Sequence, residues 1–257
     1  MTIPPARYQA AIAGGAGTIA GAVERDPGRA VPCCPGWDVA RLAAHAGTLL
    51  ARVAEMVRRR APEGLRPEEV PGPPEGPAAL ATWLRDASAG LRSALGAAGD
   101  DDPAGRWRER EVTAGFWQRR LAHELAVHGF DAASALGEQE VLDAEVSADG
   151  IDEVCELFLP YSAGKEAWPP PGPLLLAAVD LAAGWVLEPG AGDRGGLAWR
   201  RAGEGDLAGP PPGDGPSARV EATAGELFLY CWGRWAPEAG ALGDLEVLGG
   251  WRAVLGW

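Results

Sequence analysis

FWQRRLAHELAVHGFDAASA, residues Phe116 to Ala135, is the segment from which the fold is most readily inferred. It predicts one helix and carries two of the chain's three histidines, His123 and His128. Trp117, Leu121, Glu124, His128 and Ala135 recur at helical spacing, with Leu125 and Ala132 beside them, and predict an apolar stripe. Glu124 and His128 are four apart and project from the same face. A carboxylate and an imidazole on a core-facing stripe need partners, because an unpaired charge there is costly. A metal ion is one such partner, and the remaining histidine, His45, is then a candidate third ligand. His123 lies about 100° round the helix from Glu124, which sets it outside that group and leaves it free to hydrogen-bond between helices.

Three more helices precede this one. Tyr8, Ile12, Ala16, Ile19 and Val23 fall on one face of a helix over residues 5 to 24. Its glycines at 14, 15, 17 and 21 weaken it, so packing must hold it. Pro35 and Gly36 then punctuate the chain, and Asp38 suits a helix N-terminus. That helix runs to about Arg60, with Leu42, His45, Leu49, Val53 and Met56 on one face, so His45 is expected to point where the leucines point. Arg58, Arg59 and Arg60 suit its negative end. Residues 61 to 77 are rich in Pro, Gly and Glu and read as a loop. Leu80, Leu84, Ala87, Leu91 and Leu95 mark a third helix near 77 to 97, and GDDDPAG after it reads as a loop. Four amphipathic helices predict a four-helix bundle.

The second half differs in character. SADGIDEVCELFL, 147 to 159, predicts one more helix, and Pro-rich sequence at 169 to 173 breaks the chain. Short strand-like runs follow at Pro173 to Leu181, Gly184 to Glu188, Gly196 to Arg201 and Ala218 to Ala222, separated by Gly- and Pro-rich turns. Ala224 to Arg234 reads as a helix and Leu245 to Leu248 as a last strand. The expected architecture is a two-domain α plus α/β chain. Residues 1–150 form the metal-binding bundle and 151–257 a small α+β domain, with the boundary within 145 to 165.

The chain has 257 residues, 47% of them hydrophobic, which suits a globular protein. Its net charge is −13, with a single Lys. Nucleic-acid binding, which needs Lys and Arg to replace counterions, is not expected. The apolar runs are too short to span a membrane, and the N-terminus lacks a signal-peptide pattern, so a cytoplasmic, soluble protein is expected. Cys33, Cys34, Cys155 and Cys231 form no CxxC pair and read as reduced, buried thiols. Cys34 stands near the start of the second helix.

His, Glu and His make a common zinc ligand set that leaves a position open. The same residues also suit a helix-surface pair of Glu124 and His128, with His45 a satisfied core histidine. Asp131, three after His128, suits an acceptor that orients an imidazole, and equally a solvated helix-end carboxylate. Arg119 and Arg120 fall off the ligand stripe and read as structural. Trp37, Trp117 and Trp232 read as core or pocket wall.

The segments VPCCPGWDVARLAAHAG and FWQRRLAHELAVHGFDA, in this order, resemble the maleylpyruvate isomerase family of mycothiol-dependent enzymes. VEATAGELFLYCWGRW resembles that family's C-terminal domain. The resemblance implies a DinB-like four-helix bundle followed by a sterol-carrier-like domain. It implies a metal, usually zinc, held at the positions of His45, Glu124 and His128, although His₂Glu also accepts other divalent ions. Mycothiol is the implied cosubstrate, an external low-molecular-weight thiol made nucleophilic as a metal-bound thiolate. In the isomerase, the thiolate adds to the double bond of maleylpyruvate and gives an enolate. Rotation about the new single bond and loss of the thiol leave fumarylpyruvate. A transferase of the family instead keeps the thioether or displaces a leaving group. Arg234, in CWGRW, is the implied binder of a substrate carboxylate, for which its planar fork is suited. The partners expected are this thiol and a small electrophile, with no nucleic acid or membrane, on a monomer or homodimer. A non-catalytic metal- or ligand-binding protein on the same scaffold is the alternative.

Overall fold

The computed structural model describes residues 3–162, 170–190, 196–208, 217–237 and 240–255. The chain falls into two compact units, Thr2–Val141 and Leu142–Trp257. The division comes before the expected 150/151, because the helix that begins at Ala144 packs within the second unit.

The first unit holds the four predicted helices: α1 (Pro5–Arg25), α2 (Val39–Arg59), α3 (Pro77–Ala97) and α4 (Ala114–Ala135). Asp38 caps α2, accepting from the Arg41 N–H at 2.7 Å. Arg60 ends it in the left-handed region at φ 49°. Thr113 caps α4 through the Phe116 N–H. Helix α1 packs chiefly on α4, and α2 on α3. The α1–α4 approach depends on Gly15, where a Cβ would lie 2.0 Å from the Leu125 carbonyl oxygen. Gly14 and Gly17 are exposed, with open space around them.

The structure alters two expectations about faces. The buried residues of α2 include Leu42, Ala46, Leu50, Val53 and Val57, so His45 and Leu49 sit at the margin of that stripe. Helix α4 is buried on nearly every side, not along one stripe, because α1 and α2 both pack on it.

An antiparallel hairpin begins inside the stretch GDDDPAG that reads as a loop: β1 (Pro103–Trp107) and β2 (Arg110–Thr113). Its turn is Arg108–Glu109, with Arg108 at φ 53°. The Trp117 indole donates to Ala104 O at 2.7 Å and ties the hairpin to α4.

The second unit contains α5 (Ala144–Glu153), β3 (Leu174–Ala178), β4 (Ala183–Glu188), β5 (Ala198–Arg201), α6 (Glu204–Leu207), β6 (Ala218–Ala222), α7 (Ala224–Cys231), β7 (Ala241–Gly243) and α8 (Leu245–Leu255). The sheet order is β5-β4-β3-β6-β7, with β3 and β6 parallel and the other neighbours antiparallel. The central strand β3 is buried along its whole length, as a strand covered on both faces should be. Helices α7 and α8 both pack against β3 and β6. Thr223 and Glu226 form a capping box at the start of α7.

Here too the differences have physical causes. The helix predicted over 147 to 159 is regular only to Glu153; Leu159 N–H then bonds Val154 O, a wider i→i+5 turn. Helix α7 ends at Cys231, short of Arg234, as the chain turns through Gly233 at φ 70°. Leu245 to Leu248 is helical, not a strand, because Asp244 accepts from the Glu246 N–H at 2.8 Å and starts α8. The edge strand is β7, just before it. Of the Pro-rich break, residue 169 lies outside the described residues. No helix among the described residues is long and apolar enough to cross a membrane.

Candidate metal centre

His45 comes from α2, and Glu124 and His128 come from successive turns of α4. The structure brings the three together. Glu124 Oε1 lies 3.3 Å from His45 Nε2 and 3.2 Å from His128 Nε2. The two imidazoles meet edge to face, with centroids 5.3 Å apart. One atom from each residue falls within 4.8 Å of the other two. A tetrahedral ion with bonds of about 2.1 Å spaces its ligand atoms about 3.4 Å apart. The observed 3.3 and 3.2 Å match that spacing, and two nitrogens with one oxygen suit zinc. The three residues therefore fit a zinc ion.

Two of the three are held from behind. Asp131 Oδ2 lies 3.0 Å from His128 Nδ1 and fixes the ring, so that Nε2 faces Glu124. Asp131 is fully buried; of its two sequence readings, the orienting acceptor is the one that matches the structure. Arg120 pairs with Glu124 Oε2, which leaves Oε1 for the histidines. From the sequence Arg120 reads as structural and off the ligand stripe; the structure places it at the site. It stands four residues before Glu124, on the same helical face, and that spacing was the signal for it.

These contacts set the charges. Burial alone would push the Glu124 carboxyl up. The Arg120 guanidinium and hydrogen bonds from His128 and His45 outweigh it and hold the carboxyl well below the usual carboxylate range. Burial would lower His128, but its bonds to Asp131 and Glu124 prevail and raise it to about 9.

The site opens on the His45 side. The His45 side chain is 39% exposed, against 11% for His128. The Trp37 ring stands edge-on to His45 at 5.1 Å, a wall as expected. Arg41 lies over Trp37 at 5.0 Å. His123 is fully buried on another side of α4, with its ring edge-on to Tyr8 of α1 at 6.2 Å. It is outside the ligand cluster.

Not every singled-out residue lies in the bundle. Arg234 follows α7 in the second unit, half-buried, and its Nη1 donates to Trp232 O at 2.7 Å. Trp232 packs edge-on to Phe158 at 4.9 Å, and Trp117 is core. Cys155 and Cys231 are buried as expected. Cys33 and Cys34 are only half-buried, and the Cys34 Sγ donates to Asp131 Oδ2 at 3.5 Å. A thiol beside the centre was not foreseen, because 97 residues separate the two positions.

Residues 8–133 match the family described as mycothiol maleylpyruvate isomerase N-terminal domain. Two solved structures share the architecture of the chain. One is a histidine-to-alanine mutant of the mycothiol-dependent maleylpyruvate isomerase, at TM-score 0.63 and 14% identity, with 95% of this chain and 98% of that chain covered. The other is the mycothiol-dependent maleylpyruvate isomerase, at TM-score 0.62 and 15% identity, with the same coverage. At this identity the likeness establishes the fold. No curated protein matches the sequence.

Proposed function

Because the chain's N-terminal unit belongs to the mycothiol maleylpyruvate isomerase N-terminal domain family, we propose that the chain is a metal-dependent enzyme. It uses mycothiol, or a closely similar thiol, as nucleophile toward a small electrophile, by cis–trans isomerisation or S-transfer. The observation that carries this reading is the convergence of His45 Nε2, Glu124 Oε1 and His128 Nε2 beside an opening on the His45 side.

A divalent ion held by these three residues would acidify a thiol brought to it, so that sulfur is nucleophilic at neutral pH. The chain's own residues would do the rest. Asp131 keeps the His128 proton on Nδ1 and turns Nε2 inward. Arg120 holds Glu124 Oε2 and compensates the carboxylate charge. Burial of Glu124 and His128 keeps water from their inner edges, while the more exposed His45 borders the path for thiol and substrate. Trp37 gives that path an apolar wall. Arg234 is proposed to bind a substrate carboxylate through its planar fork.

The test is an assay of the zinc-loaded protein with maleylpyruvate and mycothiol. Fumarylpyruvate formation that needs both zinc and thiol supports the isomerase. Thiol conjugates of other electrophiles, read by mass spectrometry, support S-transfer. No product from any electrophile, with one equivalent of zinc bound, would sink the enzymatic reading and favour a metal-binding protein. Arg234→Ala should raise KM for a dicarboxylate and leave zinc content unchanged.

A further inference from the structure

The two ring nitrogens of His128 face different donors. Nε2 faces Glu124 Oε1, 3.2 Å away, which His45 shares. Nδ1 lies 3.0 Å from Asp131 Oδ2, and that same oxygen accepts from Cys34 Sγ at 3.5 Å. Cys34, His128 and Asp131 each offer one donor atom within 4.8 Å of the others. A nitrogen–oxygen–nitrogen set thus stands at one edge of the imidazole, and a sulfur–oxygen–nitrogen set at the other.

Backbone bonds hold the loop that carries Cys34. Val31 N–H donates to Trp37 O at 2.9 Å, Cys34 N–H to Val31 O at 3.1 Å and Trp37 N–H to Cys34 O at 2.9 Å. The thiol is presented to Asp131 by a closed turn, not by a swinging arm.

We propose that Cys34, Asp131 and His128 form a second metal site, for a thiophilic divalent cation, that shares His128 with the first. The spacing suits it. Bonds of about 2.3 Å to sulfur and about 2.1 Å to oxygen, at tetrahedral angles, set the two atoms about 3.6 Å apart; the observed separation is 3.5 Å. The His128–Asp131 edge, at 3.0 Å, opens by a few tenths of an ångström to reach the nitrogen–oxygen spacing of about 3.4 Å. Sulfur gives this site a preference that the first lacks: thiolate with imidazole favours zinc-like ions over magnesium or calcium. Cys34 is half-buried, which leaves the cation a way in. Binding displaces the thiol proton and the Nδ1 proton to solvent. With both sites filled, His128 bridges the two ions as an imidazolate.

The experiment is a cobalt(II) titration of the metal-stripped full chain, because cobalt reports thiolate ligation through a sulfur-to-metal charge-transfer band. Two equivalents should bind, with the band rising alongside one of them. Cys34→Ser should remove the band and one equivalent, and Cys33→Ser should leave both. His45→Ala should lose the other equivalent and keep the band. A single equivalent without the band overturns the proposal, and so does a band that survives Cys34→Ser. In the unsubstituted chain, a single equivalent that carries the band would instead count against the function proposed above. Alkylation of the unsubstituted protein needs no variant: cobalt should protect Cys34 at least tenfold in peptide mass analysis. Equal labelling with and without cobalt overturns the proposal.

Discussion

At the scale of single residues, protons and a metal ion would compete for the candidate centre. His128 is raised to about 9, while an unfolded imidazole titrates near 6.5. A raised folded value means that protonated His128 stabilises the fold fully below about pH 6.5. In metal-stripped protein that contribution is lost as pH climbs from 6.5 through 9. Zinc needs the neutral ring, so its affinity should fall roughly tenfold for each pH unit below about 9. Competitive titrations between pH 6 and 9 would check this, and a flat affinity would contradict it. His128→Ala should abolish retained zinc, and His45→Ala should remove the equivalent held with Glu124. His123→Ala should keep it, because that ring faces Tyr8 and not the cluster. Metal analysis after dialysis separates the three variants. The cluster was legible in the sequence: the i, i+4 pair Glu124–His128 gave two of its members, and His45, the remaining histidine, gave the third. What the sequence hid has a geometric reason. Cys34 reaches Asp131 only through the path of the loop before α2, which no periodicity encodes.

At the scale of elements, Gly15 and its neighbours make a direct comparison. Gly15→Ala would drive a Cβ to 2.0 Å from backbone oxygen of α4. It should cost about 2–3 kcal/mol by forcing α1 and α4 apart. Gly14→Ala and Gly17→Ala, which point into open space, should each add about 0.5–1 kcal/mol by helix propensity. Denaturation midpoints decide it; equal effects at 14 and 15 would refute the close-approach account. The sequence flagged all the glycines of α1 as weakening and had no means to tell which one the packing requires. The helices themselves were legible, since their apolar positions recur and Asp38 marks a cap. The β1–β2 hairpin was not. Its strands are short and charged, and its turn uses Arg108 at φ 53° instead of a glycine. Likewise Gly249 and Gly250 inside α8 masked a helix that Asp244 starts and that Val247, Trp251, Val254 and Leu255 bury.

At the scale of the molecule, the centre belongs wholly to the unit Thr2–Val141. Zinc at a hundredfold excess over its Kd should therefore add about 2.7 kcal/mol to that unit. Hydrogen exchange is expected to slow in Val39–Arg59 and Ala114–Ala135, and to stay unchanged in β3 and β6. Equal slowing of the sheet amides would mean that the ion acts elsewhere. The thiols divide in a way that bears on handling the whole chain. Cys155 and Cys231 are buried; burial raises Cys155 well above the ordinary thiol range and Cys231 to about 12. Only thiolates react readily, so these two are silent in the folded protein, while the half-buried Cys33 and Cys34 are open to reagent. A chromogenic disulfide should therefore count two sulfurs in metal-stripped native protein and four in denaturant. The chain carries an internal gauge of its own integrity, and a preparation that titrates above two contains unfolded molecules, whatever its activity.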